Sequence, residues 1–321
     1  MSATFDKRSE ARSWSSRLES EIKAGRFRAP NPHLVRDLVE RYIATVVPHK
    51  KTGARTAQQL RAWSELIGEH ALEDLRPAAI ATARDRLAET RGPATVVRYL
   101  SALSHAFTIA VKDWQWVESN PVKRITWPRQ PRGRVRFLSE DEREALITAA
   151  ADSKCIPLVS IIMLALLTGM RRGEILNLKW HNVDLERHRL ILTDTKNKER
   201  RQVPLVPTAY AIVRSWKCGE ISGNAYIFHK RGATDIPVRI DRHFKRAVRV
   251  AGLTDFRFHD LRHTAASYLA MTGATTNEIA EILGHKTLDM VKRYAHLTTT
   301  HSAKVLERME SEIYTAEKRE P

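Results

Sequence analysis

A histidine and an arginine three residues apart on a helix can reach the same small anion, and the sequence offers that pair in His259-Asp260-Leu261-Arg262-His263. At about 100° per residue, positions i and i+3 share a face, so an imidazole and a guanidinium there could both hold one phosphate. Alone the motif is weak, because His and Arg at this spacing are common on solvated helix faces. A zinc site on His259 and His263 is disfavoured: no Glu follows the first His, and no cysteine lies nearby.

Two further short motifs end in glycine-stopped helices. Thr168-Gly169-Met170-Arg171-Arg172-Gly173-Glu174 follows an apolar stretch, and Leu283-Gly284-His285 precedes a segment ending Arg293-Tyr294-Ala295-His296. A continuous helix from 285 to 294 would turn Tyr294 to the face opposite His285. If Gly284 ends one helix and Thr287 caps the next, the two side chains can converge from separate elements.

The elements that must position these residues fall into two groups. Apolar residues recur at helical spacing through Leu34, Val35, Leu38, Val39, Tyr42, Ile43 and Val46, and again around Leu60, Trp63, Leu66 and Ile67. A third helix starts at Pro77 and runs toward Leu87, and a fourth carries Val96, Tyr99, Leu100, Leu103, Phe107 and Val111. They predict a four-helix domain over 32–122. Residues 123–137 contain Pro128, Pro131 and Gly133 and read as an interdomain linker. A second, mainly helical domain is expected over 138–300, opened by the capping box Ser139/Glu142 and a buried helix from Ile156 to Leu167. Leu190-Ile191-Leu192 and Val203 to Val206 flank the polar turn Lys196-Asn197-Lys198 and read as a β-hairpin. Helices follow at 208–217, 240–251, 259–272, 276–283 and 287–297. Residues 1–30 form a short arm with a helical pattern (Ala11, Trp14, Leu18, Ile22), expected to order on a partner, and 301–321 a C-terminal helix or tail. The fold class is mainly α with a small β-hairpin.

The charge points to a partner. The 321 residues carry 54 Lys+Arg against 37 Asp+Glu, a formal +17, which suits a polyanion such as nucleic acid. Lys123, Arg124, Arg129, Arg132, Arg134 and Arg136 crowd the linker with no acid among them, so Arg129, Arg132, Arg134 and Arg136 are candidate DNA contacts. No apolar run approaches a membrane span, and residues 1–28 lack the apolar centre of a secretion signal, so a cytoplasmic, nucleoid-associated protein is expected. Cys155 and Cys218 are too few for a disulfide framework or a four-cysteine zinc site.

In order and spacing, the set Thr168 to Glu174, Lys196 in the hairpin, His259 to Arg262, Leu283-Gly284-His285 and Tyr294 is similar to the signature of the tyrosine recombinases, the phage integrase class. The resemblance covers nearly the whole chain and is strongest for shufflon-type and phage or genomic-island integrases. It implies a helical core-binding domain and a catalytic domain that form a clamp around duplex DNA. It implies that Tyr294 attacks phosphorus to form a 3′-phosphotyrosine, which conserves the energy of the broken phosphodiester, so no nucleotide, metal or other cofactor is expected. Arg171 and Arg262 would hold the non-bridging oxygens, with always-charged, paired donors suited to a pentacoordinate transition state. His259 would accept or relay the tyrosine proton, His285 would donate to a phosphate oxygen, and Lys196 would protonate the leaving 5′ oxygen. Arg172 is the rival for Arg171, and Lys198 for Lys196. Glu174 would buttress an active-site arginine or histidine, its other reading being an exposed helical carboxylate. His263 and His296 are read as packing or supporting groups. Residues from Thr4-Phe5-Asp6-Lys7-Arg8 through Trp14 and Glu21 resemble the last part of an arm-binding module whose strands do not precede them here, which leaves arm-site binding open.

The expected partners are double-stranded DNA, a homo-tetramer assembled on two sites, and a possible DNA-bending accessory protein. The alternatives are a catalytically silent DNA-binding regulator of the same fold and a metal-dependent nuclease. The second would need clustered carboxylates, whereas these motifs supply cations and a phenol.

Overall fold

The computed structural model describes residues 4–24, 33–130, 135–192, 201–217, 219, 222–285, 287–294 and parts of 306–313. The chain divides into two units, Met1–Gly133 and Arg134–Pro321.

In the first unit, the pattern at 11–22 is realised as a helix, α1 (Arg8–Lys23), and four longer-range elements follow: α2 (Val35–Thr45), α3 (Gly53–Ile67), α4 (Pro77–Thr90) and α5 (Pro93–Lys112). Pro77 and Pro93 each occupy a first-turn position, where the missing N–H is no loss. Leu38, Tyr42, Leu60, Trp63, Leu100 and Phe107 are fully buried in one core, and the Trp63 indole N–H donates to the Tyr99 carbonyl at 2.9 Å. At twenty residues α5 is long and apolar enough to cross a membrane by composition. Its apolar side chains Val96, Leu100, Leu103 and Phe107 are instead committed to this core.

The expected linker begins too early. Pro121–Arg124 form a 3-10 turn capped by Asn120, Val122 is fully buried, and the Thr126 carbonyl accepts from Arg84 at 2.6 Å, so residues 121–127 belong to the helical unit. Arg136, read as a candidate DNA contact, is forked onto both oxygens of Glu142, at 2.8 and 2.5 Å. Arg129 is exposed. Arg132 and Arg134 lie outside the described residues.

The second unit opens with α6 (Glu140–Ala151), where Ser139 and Glu142 complete the reciprocal cap. The buried helix α7 runs Leu158–Thr168, beginning after Pro157. Ile156, assigned to its buried face by sequence, is 76% exposed. After the short α8 (Arg172–Leu176) comes an antiparallel sheet of β1 (Val183–Asp184), β2 (Arg189–Leu192) and β3 (Arg201–Pro204), in that order, with Leu190 opposite Val203. The hairpin was legible, but the added strand β1 was not, being two residues long. Lys196 and Lys198 lie outside the described residues. Then follow α9 (Pro207–Ser215), a second hairpin of β4 (His229–Lys230) and β5 (Ala233–Pro237), α10 (Asp241–Val250), α11 (Phe258–Met271) and α12 (Thr276–Leu283).

The expected α-helix over 287–297 is not formed in its described part. Leu288–Met290 make a 3-10 turn, and residues 292–294 are again 3-10. At three residues per turn, positions three apart eclipse, which places Val291 and Tyr294 together against Ile279 and Leu283. Thr287 stands at the start of that turn but makes no side-chain cap.

Candidate active site

Arg262 is the anchor. On α11 it is 4% exposed, and its two terminal nitrogens donate to the carbonyls of Gly169 and Leu283, both at 2.7 Å. A guanidinium has five N–H donors, so three remain for another acceptor. The two carbonyls belong to the two glycine corners that sequence singled out. Gly169 ends α7 with φ +61, and a Cβ there would come within 2.2 Å of a Leu283 methyl, so left-handed backbone and close approach both require glycine.

Arg171 stands at the start of α8. It donates from one nitrogen to Glu174 Oε1 at 2.8 Å and from the other to the Gly284 carbonyl at 3.2 Å, while its backbone N–H donates to Glu174 Oε2 at 2.9 Å. Glu174 is therefore no exposed helical carboxylate: its side chain is 8% exposed and buttresses Arg171. The rival Arg172 turns instead to Asp241, at 2.6 Å.

His285 follows Gly284, and its backbone N–H donates to the Ala280 carbonyl at 2.8 Å. Burial, then the neighbouring Arg262 and Arg171, push its pKa down to about 4. Its Nδ1 is buried without a partner among the described residues. His259 is held below its usual range by burial and then by Arg262, so both imidazoles are neutral at pH 7. Burial and the same crowd of cations also lower the Arg262 pKa. Cations packed this closely out of water stabilise whatever anion comes to lie among them.

Tyr294 is 2% exposed, and burial raises its pKa above the usual phenol value, against the opposing pull of Arg293 and Arg262. Its hydroxyl is hydrogen-bonded to Nδ1 of His263. Of the two expected roles for His263, packing or support, the structure shows the supporting one, and the direct partner of the tyrosine is His263 where His259 was expected: His259 stands behind it, with ring centroids 5.0 Å apart and edge to face. The reason is helical geometry. His263 lies one turn beyond His259, on the side of α11 that meets the 3-10 segment carrying Tyr294.

Sequence reasoning also missed Arg201. On β3, residues 201 and 203 point the same way, and Val203 is buried, so an arginine in the inward register was the available signal. Arg201 Nη2 lies 3.3 Å from Glu174 Oε2. Among the described residues no cluster of three or more His, Cys, Asp or Glu could hold a metal. His296 lies outside them.

Residues 136–301 match the phage integrase family. The shufflon-specific DNA recombinase of Escherichia coli is 34% identical over 273 residues, covering 81% of this chain and 68% of that protein. The integrase of Salmonella phage P22 is 31% identical over 238 residues, 70% of this chain and 56% of that protein. Among solved structures, lambda integrase as a dimer bound to a core site superposes with a TM-score of 0.67 at 22% identity, over 89% of this chain and 87% of that one. The same integrase as a tetramer bound to a Holliday junction gives 0.65 at 22%, over 89% and 90%. These two likenesses speak to the fold, whereas the family match and the shufflon recombinase speak to descent. The chain belongs to the phage integrase family, the tyrosine-type site-specific DNA recombinases.

Proposed function

We propose that the chain cleaves and rejoins strands of duplex DNA through a 3′-phosphotyrosine on Tyr294. The Tyr294 oxygen bonds to phosphorus as the P–O5′ bond breaks; the phenol proton passes to the His263/His259 pair, and the 5′ oxygen takes a proton from Lys196. Religation reverses each step. Arg171 and Arg262 neutralise the non-bridging oxygens, and His285, neutral, donates a hydrogen bond to one of them. The observation that carries this reading is that Arg171, Arg262 and His285 meet at the Gly169 and Gly284 corners beside the buried Tyr294 cluster.

Both units contact duplex DNA, with phosphate contacts dominating affinity. Four protomers assemble on two sites, as lambda integrase does on a Holliday junction, and the protein works in the cytoplasm on nucleoid DNA. The intact Arg171, His259, Arg262, His285 and Tyr294 set disfavours a silent regulator.

The test starts from a core site selected by the wild-type chain out of a pool containing randomised duplexes and the DNA flanking its gene. With a duplex nicked beside the scissile phosphate, wild type should form a detergent-resistant adduct. Tyr294→Phe should bind equally and form none. An adduct from the Phe variant would remove Tyr294 from the mechanism.

A further inference from the structure

Three consecutive carbonyls at the end of α12 each accept a hydrogen bond from a different arginine. Ile282 takes one from Arg201 at 3.1 Å, Leu283 from Arg262 at 2.7 Å and Gly284 from Arg171 at 3.2 Å. These are carbonyls that a helix end leaves without internal partners, at the negative end of its dipole. The corner that delivers His285 is thus held by three guanidiniums, of which two have a role on the phosphate and the third has none.

We propose that Arg201 is a positioning residue for strand cleavage, which fixes Arg171 and the His285 corner relative to one another by bridging Glu174 and the Ile282 carbonyl. This rests on the reading of Arg171 as a phosphate ligand.

Charge balance supplies the first reason. Glu174 is 8% exposed and Arg201 12% exposed, so the carboxylate is largely removed from water and needs compensation. If Arg171 were its sole cationic partner, the pair would be neutral, and Arg171 would have to forsake a buried carboxylate to serve a phosphate. With Arg201 on the second oxygen, the triad Arg171–Glu174–Arg201 carries one net positive charge, which is left over for the substrate.

Geometry supplies the second. Arg201 enters from β3, a separate element from both α8 and α12, so its fork ties three elements at one point. The fit is tight: a Cβ on Gly284 would lie 2.5 Å from Arg201 Nη1 and 2.6 Å from its Cδ. Gly284 is needed for its φ of +65 and also because the guanidinium lies where its side chain would be. A displacement of about 1 Å in a catalytic group is enough to slow a reaction on the order of a hundredfold.

The experiment uses the full chain and the nicked core-site duplex, and measures the single-turnover cleavage rate at saturating protein, the DNA Kd and the thermal midpoint. Arg201→Lys keeps the charge but loses the fork. It should lower the cleavage rate roughly tenfold or more while leaving Kd within about threefold. Arg201→Ala should be slower still if it folds, and Arg201→Lys stands in for it if it does not. In an Arg171→Lys background, Arg201→Lys should slow cleavage far less than it does in the wild-type chain, because the Arg171 side of the bridge is already lost. Equal slowing in both backgrounds, or no slowing in either, overturns the proposal while leaving the phosphate reading intact. An Arg171→Lys chain that cleaves at the wild-type rate overturns both.

Discussion

The hydroxyl of Tyr294 is hydrogen-bonded to Nδ1 of His263, one helical turn beyond His259. Tyr294 is 2% exposed and His263 is half-buried, so the phenol hydroxyl has no easy substitute for this partner.

Replacing His263 by Phe keeps a ring but strands the Tyr294 hydroxyl. The expected loss is about 1–3 kcal/mol of stability, the usual consequence of an unsatisfied buried polar group. Adding Tyr294→Phe should restore part of it, since two apolar rings leave nothing unpaired. Denaturant unfolding of the single and double variants is the check, and an additive pair of losses would show that the bond contributes nothing.

Strand cleavage requires a proton at the leaving 5′ oxygen, which the family resemblance assigns to Lys196. Lys196→Ala should slow cleavage by roughly 10²–10⁴ with little change in binding. A substrate with sulfur at the bridging 5′ position leaves without that proton, so it should restore the rate of Lys196→Ala and not of Arg171→Ala. Rescue of Lys198→Ala in its place would move the role to Lys198; rescue of neither would leave the hairpin lysines as backbone contacts.

His285 has a folded pKa of about 4 against about 6.5 unfolded, and His259 is shifted in the same direction. Between those values the unfolded chain binds a proton that the folded chain refuses. Stability therefore falls as pH drops from about 6.5 toward 4, and is fully present above that window. The thermal midpoint of His285→Gln should fall less over the same range than that of wild type. Inorganic phosphate should flatten the wild-type dependence, since a bound anion favours the charged imidazole. Identical curves for the two chains would show that neither burial nor the arginines hold His285 down in the folded chain.

The linker arginines should separate into two kinds. Neutralising Arg132 and Arg134 is expected to flatten the salt dependence of DNA binding, by about 0.9 in log–log slope for every DNA phosphate that these arginines neutralise in the wild-type complex. Arg136→Ala should leave the slope alone, because Glu142 already occupies its fork, and should lower the thermal midpoint by loosening the start of α6. A flattened slope from Arg136→Ala alone would show that the ion pair opens on DNA.

The sequence by itself determined the parts whose physics is local. Helical periodicity and the first-turn Pro77 placed α2 to α5, Ser139 and Glu142 marked the start of α6, and Gly169 and Gly284 marked where two helices stop. The order of short motifs was enough to name the family. Tertiary structure decided what depends on elements far apart in the chain. Glu174 was legible as a carboxylate but not as a buried one, because one of the two arginines on it, Arg201, comes from β3. Arg201 resembles any strand cation until the corner at Gly284 closes over it. The 3-10 path of 288–294 follows from packing Val291 and Tyr294 against Ile279 and Leu283, contacts that no helical period encodes. His263 became the tyrosine's partner for the same reason: the spacing along α11 fixed which side it faced, and only the returning segment determined what it would meet there.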